Sequence, residues 1–404
     1  MSFKTLNVRS LFRRVTAFLA VATILVIAST RLKADTGSCG GVTTSLPFTD
    51  VMGSPFFCQI AAAYFSGLTN GTSATSYTPG QTVTREQMAA FTTRTMDQSL
   101  KRGSRRAVAK KWWTPQTVNN LTLTDTGISP QSVEFDGTDL WVANSASGSV
   151  TRIRPGDGKV LDTWTGALSA TGIVAAMGKI FVTGFANPGS LYMIDPAQPA
   201  GPVTTLTSSL GNGPRGIAFD GTRIWTANES SSVCIVTLNP TSVTTVSVGF
   251  FAPIGILYDG SNMWVTDFGS DKLYKLNPNG SIAHTINMEN TPDWPVFDGT
   301  NIWVPNLNSN SVTVARVKDA VGNPLGSAFV LATLTGNGLN NPYTMAFDGE
   351  RILATNTGGS VSLWKAADLT PLGSFPAAGL PFGACSDGLN FWITLNNANK
   401  LARF

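Results

Sequence analysis

Catalysis needs side chains that move protons, hold metals or attack carbon, and this 404-residue chain offers few of them in useful arrangements. It has one histidine, His284, four cysteines and 24 Asp and Glu residues. None of these recurs at metal-ligand spacing, and no nucleophile motif or phosphate loop is present, so neither metal nor cofactor is expected. Alignment on an internal repeat brings three charged residues, Arg215, Asp267 and Asp293, to one end of the repeating unit. Two aspartates alone are a thin basis for acid–base catalysis. The pattern therefore points to binding before chemistry.

The repeat that positions these residues is a short phrase, first seen as Phe135-Asp136-Gly137-Thr138-Asp139-Leu140-Trp141. It returns at Phe219–Trp225, Tyr258–Trp264, Phe297–Trp303, Phe347–Leu353 and Ser386–Trp392, with a worn copy at Ala175–Phe181. A period of about 40 residues marks a repeat architecture. Asp-Gly between apolar runs predicts a hairpin of type I′, and four strands per repeat make one propeller blade. The expected fold is all-β, a seven-bladed β-propeller over residues 118–404. The chain ends on the third strand of the last repeat, so Val118–Leu123 is expected to supply the missing fourth strand and close the ring. Five of the ten tryptophans end the phrase. They read as packing between blades, with carbohydrate stacking as the alternative.

Propeller ligands usually bind at the channel mouth. Residues entering the innermost strands there are Gln131, Thr171, Arg215, Ile254, Asp293, Tyr343 and Phe382. A second ring, ending the second strands, holds Asn144, Gly184, Asn228, Asp267, Asn306, Asn356 and Leu395. The polar members of both rings are candidate ligand-binding residues; repeated Asn is also what a tight loop favours.

Net charge is +4, but residues 1–34 hold six of the 28 basic residues and no acid. Lys4, Arg9, Arg13 and Arg14 precede an apolar run, Val15–Ala28, too short for a membrane span. Residues 1–34 therefore read as a secretory signal, cleaved or retained as an anchor. What remains has 22 basic and 24 acidic residues, no argument for nucleic-acid binding. A hydrophobic share of 42% with only 13% charge suits an exported protein. Export permits disulfides, so Cys39 and Cys58 are expected to be bridged, and Cys234 and Cys385 to be buried thiols. Lys101–Lys111 is a basic linker, here drawn over 101–117.

Residues 35–100 form a small helical module. Phe57, Ile60, Ala61 and Tyr64 share one face of a helix over Pro55–Phe65. A second helix opens with Thr84 as N-cap and Gln87 completing a capping box, flanked by Val83 and Met88.

Two resemblances follow from these motifs. The propeller phrase, as in Phe297-Asp298-Gly299-Thr300-Asn301-Ile302-Trp303-Val304-Pro305-Asn306, resembles that of YVTN, NHL and streptogramin-lyase-like propellers. The lyases imply a histidine, carboxylates and a divalent metal at the mouth; here His284 falls on an outermost strand. The small module resembles an S-layer homology module through Phe48-Thr49-Asp50-Val51, Ile60, Gly71-Thr72, Tyr77-Thr78-Pro79 and Val83-Thr84-Arg85-Glu86-Gln87. The family's usual Thr-Arg-Ala-Glu is Thr-Arg-Glu-Gln here, and one copy stands where three are common. That resemblance implies attachment to cell-wall polysaccharide or peptidoglycan, with Arg85 against an anionic group beside the helix N-terminus and Thr84 capping it. The function implied is a non-enzymatic, exported cell-envelope protein that presents a propeller for ligand or protein binding. A propeller enzyme of the streptogramin-lyase-like type is the alternative.

Overall fold

The computed structural model describes residues 34–39, 42–65, 68–101, 122–319 and 321–404. The expected secretory signal, most of the basic linker and the Trp112-Trp113 segment lie outside them. The chain separates into two compact units, dividing between Trp112 and Trp113. No helix among the described residues is long and apolar enough to cross a membrane.

The smaller unit opens with a hairpin absent from the sequence expectation. Strand β1 (Asp35–Cys39) pairs antiparallel with β2 (Val42–Leu46). Helix α1 spans Phe57–Phe65 and α2 spans Arg85–Lys101. Leu46, Phe48, Val51, Phe57, Ile60 and Ala61 make the core. The Phe48-Thr49-Asp50-Val51 motif works on both sides of that core. Phe48 and Val51 are fully buried, while the Asp50 carboxylate accepts the amides of Tyr77 (2.9 Å) and Thr78 (2.7 Å) and ties the following loop down. Cys39 and Cys58 are disulfide-linked, joining β1 to α1. The capping box forms in both directions: Gln87 N–H donates to Thr84 Oγ1 (3.2 Å) and Thr84 N–H to Gln87 Oε1 (2.9 Å). Val83 and Met88 remain half exposed.

The larger unit is seven four-stranded antiparallel sheets, with each blade's first strand innermost. The innermost strands are Pro130–Phe135, Ala170–Ala176, Pro214–Phe219, Pro253–Tyr258, Val296–Phe297, Pro342–Phe347 and Pro381–Ser386. The ring closes as expected. Strand β3 (Thr122–Asp125) pairs with the chain's last strand in the register Thr122↔Arg403 to Asp125↔Lys400; it shares Thr122 and Leu123 with the expected Val118–Leu123, whose first four residues lie outside the described residues.

The repeated phrase is a hydrogen-bonded unit. In five blades the aspartate of Asp-Gly accepts the tryptophan Nε1–H five residues on, at 2.7–2.8 Å. The carboxylate's other oxygen accepts two turn amides, as Asp136 does from Thr138 (2.8 Å) and Asp139 (2.7 Å). The tryptophans are 0–1% exposed. In blade six Leu353 replaces the tryptophan, and Asp348 binds Arg351 instead (2.9 Å). The turns are not of type I′, since the aspartates have negative φ and Gly137 alone of its turn is positive (φ 96°). Only the worn copy has both central residues in the left-handed region, Met177 (φ 52°) and Gly178 (φ 71°). A carboxylate that staples the turn amides makes the four-residue loop viable without positive φ at Asp.

Candidate functional site

The channel-mouth residues are set in place by a device that links neighbouring blades. In blades two, four, six and seven a threonine of the second strand donates its hydroxyl to a backbone carbonyl of the next blade. Thr183 reaches Arg215 O (3.1 Å), Thr266 reaches Asp293 O (2.9 Å), Thr355 reaches Phe382 O (2.7 Å) and Thr394 reaches Gln131 O (3.1 Å). Ser132 does the same for Thr171 O, and the Trp294 amide for Tyr343 O (3.2 Å). Six of the seven first-ring carbonyls are thereby pinned by the preceding blade. The close approach is built on small residues; a Cβ on Gly216 would collide with Ile254 O.

Blade five breaks this pattern. Where other innermost strands have six or seven residues, its own has only Val296–Phe297. Pro295 is the local difference, since proline removes a ladder donor; the proline before Asp293 recurs at the start of five other innermost strands. Trp294 stands where four blades have glycine, and forms a parallel bridge to Thr344 of blade six.

Three first-ring side chains, Arg215, Asp293 and Tyr343, form one electrostatic cluster with Glu229. Arg215 Nε donates to Glu229 (2.7 Å), and its guanidinium stacks 4.9 Å from the Phe185 ring. Burial lowers the Arg215 pKa, but Tyr343, Glu229 and Asp293 raise it more. Asp293 is 1% exposed, and its Oδ1 has no hydrogen-bond partner. Burial pushes its carboxyl up to about 8, against the opposing pull of Arg215 and the Trp294 amide. Burial also raises the Tyr343 phenol, with Asp293 adding to it. The Trp294 Nε1–H leans toward that phenol but closes no hydrogen bond. Tyr343 stacks on Phe382 at 4.4 Å. Gln131 donates to Ser145 (3.3 Å) beside the channel. Thr171 turns to Ser169 O, and Ile254 is buried.

The second ring goes elsewhere. Asn144, Asn228, Asn306 and Asn356 are fully buried and donate within their own blades. Asn306 Nδ2, for example, meets Ser311 (3.0 Å) and Thr313 (2.9 Å). Asp267 accepts the amides of Phe251 (2.7 Å), Ala252 (3.0 Å) and Ser270 (3.0 Å). These residues hold the loops that frame the mouth.

Below the mouth, a cavity of about 300 Å³ runs along the innermost strands. One wall is apolar, with Ile173, Ile217 and Ile256; the other carries Glu134, Trp294, Tyr343, Thr344 and Cys385. Burial pushes the Glu134 carboxyl up to about 7, with Asp136 adding and the Ala175 amide opposing. The Cys385 thiol is also raised by burial and by Glu134. Cys234 is buried as expected, whereas Cys385 is only half-buried and lines this cavity. Glu229, Glu134, Trp294 and Thr344 were not among the expected site residues. Trp294 in a glycine column was the legible signal. His284 lies on an outer strand, with Nε2 3.0 Å from Ala328 O. Among the described residues no three His, Cys, Asp or Glu side chains are placed to hold a metal ion.

In the small unit, a cleft of about 550 Å³ is lined by Thr69, Thr72, Tyr77, Gln87, Phe91 and Arg94, among others. Arg85 is exposed on the first turn of α2 and does not line it; the Thr84 hydroxyl is occupied by the cap.

No protein-family model and no curated protein matches this sequence. Solved structures do. A streptogramin B lyase structure superposes with TM-score 0.56 at 13% identity, covering 71% of this chain and 98% of its own. The WD40 β-propeller domain of Doa1 superposes with TM-score 0.58 at 10% identity, covering 72% and 97%. Fold and neighbours together define a seven-bladed β-propeller, an architecture that serves both enzymes and binding modules.

Proposed function

We propose that this chain is an exported cell-envelope protein whose disulfide-linked helical module attaches it non-covalently to cell-wall polysaccharide or peptidoglycan. Its propeller presents the channel and its mouth to a ligand or protein partner, without turnover. The observation that carries the binding role is the channel itself. Arg215, Glu229, Asp293 and Tyr343 converge at its mouth, above a cavity of about 300 Å³. The attachment role is supported by the Cys39–Cys58 bridge, which suits an oxidising compartment, and by the cleft. There Tyr77 offers a stacking face and Gln87 and Arg94 offer donors to a polymer. Capture of partners by the purified chain from wall and envelope fractions, read by mass spectrometry, tests both roles. Recovery of neither wall material nor a specific envelope component would sink the proposal.

A lyase-like activity is the second reading. It is favoured by two carboxyls, Glu134 and Asp293, whose pKa values near neutrality suit proton transfer. Incubation with a streptogramin B, followed by mass spectrometry for loss of the parent compound, decides it.

A further inference from the structure

The loops around the channel mouth divide its rim into two chemically different halves. Each blade is entered through a loop, and the position two residues ahead of the aligned Pro130 is exposed. Blades three, five and six have asparagine there, Asn212, Asn290 and Asn340, as a solvated loop favours. Blades one, two and four have Ile128, Leu168 and Phe251. Over blade three, Phe185 leans in from blade two and covers Gly213, whose Cβ would lie 3.1 Å from the ring. These four apolar side chains are 40–68% exposed.

They form one continuous arc. Ser147 Oγ accepts the Ile128 amide (3.1 Å), and a Cβ on the adjoining Gly148 would touch Leu168 at 3.5 Å. Ser169 O, next to Leu168, accepts the Phe185 amide (2.9 Å). Past Gly213, the Ser231 hydroxyl of blade three donates to Phe251 O (2.6 Å), and the Phe251 ring lies on Gly269. Hydrogen bonds thus fix the backbone at Ile128, Phe185 and Phe251, and the exposed side chains stand on an ordered frame. Single exposed apolar residues are ordinary, whereas a contiguous arc over four blades marks an interaction site.

The Phe251 end of the arc is also negative. Asp267 accepts the Phe251 amide (2.7 Å), and Asp271 accepts the Thr291 amide (2.7 Å) from the loop that carries the exposed Glu289. Against these three carboxylates, the base in the same loops is Lys272, whose Nζ donates to Asn287 (2.6 Å). Arg215, beneath Phe185, is already paired with Glu229.

We propose that this half of the rim docks a protein partner that presents an apolar face, with a basic side chain at the Phe251 end. Aliphatic Ile128 and Leu168 suit the apolar, charge-depleted core of a protein interface and offer a sugar ring no aromatic face. An arc over four blades is too long for a small molecule, and the carboxylates at its end complement a lysine or arginine. The inference rests on the reading of the propeller as a binding module, and it names the face and the partner's chemistry.

A random-peptide phage library panned on the immobilised chain tests it. Enriched peptides should combine apolar residues with Lys or Arg. As synthetic peptides they should bind the double variant Leu168→Asn/Phe251→Asn at least about tenfold more weakly, the loss expected when a buried apolar contact is removed. Asparagine is the residue three other blades carry at this position, and melting curves establish that the variant is folded. Glu289→Gln should weaken the basic peptides several-fold and leave uncharged ones unchanged. Peptides that bind wild type and the double variant equally overturn the docking face while leaving the propeller a binding module. Enrichment of acidic peptides, or self-association in sedimentation velocity that the double variant abolishes, overturns the assigned partner. If no sequence is enriched, the proposal falls; if the wild-type chain also captures nothing from envelope fractions, the binding role falls with it.

Discussion

Replacing Asp293 by asparagine tests how the mouth is built. The wild-type carboxyl is buried, and burial pushes it up to about 8 from its ordinary 3.8. Between those values the unfolded chain has lost the proton and the folded chain keeps it. The folded state therefore binds more protons, and stability falls as pH rises. The contribution is whole below about pH 4 and gone once pH passes about 8. Between pH 5 and pH 9 this costs the wild type on the order of 4 kcal/mol, at about 1.4 kcal/mol per pH unit. An asparagine side chain cannot ionise and has nearly the same shape. At pH 5 the variant should already be the more stable by about 1.5 kcal/mol, because the unfolded wild-type carboxyl ionises above its ordinary 3.8. At pH 9 Asp293→Asn should be the more stable by several kcal/mol. The wild type also carries Glu134, raised to about 7, so the variant keeps a shallower downward slope of its own. Urea unfolding followed by tryptophan fluorescence at pH 5, 7 and 9 measures the difference. Parallel curves at all three values would refute the burial argument, and a less stable variant at pH 9 would show the ionised carboxylate to be a net stabiliser.

Three further outcomes follow from the packing. Removal of residues 1–126 takes away β3 and should lower the melting temperature of the propeller well below that of a chain lacking only 1–115; equal values would refute the closing strand. Trp225→Phe keeps an aromatic ring but removes one hydrogen bond from Asp220, which keeps Arg223 and two turn amides, and should cost about 1 kcal/mol in urea unfolding, whereas Leu353→Phe in blade six has no such bond to lose. Cys58→Ser should cost the small unit about 3 kcal/mol, the expectation for a loop of that length, without shifting the propeller's own transition in calorimetry.

The architecture was legible because its signal is periodic. Asp-Gly and the tryptophan five positions on recur in register, and each recurrence marks the same buried hydrogen bond. The closing strand was legible as a requirement and at Thr122–Leu123, but its extension to Asp125 was not. Residues 118–125 read Val-Asn-Asn-Leu-Thr-Leu-Thr-Asp, with polar residues on both sides of the few apolar ones, and register there is set by Arg403 and Lys400 at the far end of the chain. The same distance hides the threonine links. Thr394 and Gln131 are 263 residues apart, and nothing local distinguishes Thr394 from an ordinary strand threonine. The asparagine ring shows the opposite difficulty: an amide that holds a loop and an amide that meets a ligand are the same letter. Only the direction of Asn306 Nδ2, into Ser311 and Thr313, tells them apart. Asp293 was found by alignment, yet its burial was not legible; it sits beside Trp294 and Pro295, a local irregularity that periodic reading smooths over.

The measurement that bears most directly on the proposed function is co-sedimentation of the chain from residue 35 with purified cell-wall material, beside the propeller alone from residue 122. The longer chain should pellet with the wall and the propeller should stay in solution. Within the longer chain, Arg85→Ala and Arg94→Ala should each weaken pelleting several-fold, since a charge-assisted contact is worth about 1.5–3 kcal/mol, while leaving the melting curve unchanged. A longer chain that stays in the supernatant, or a propeller that pellets equally well by itself, would contradict wall attachment through the small module.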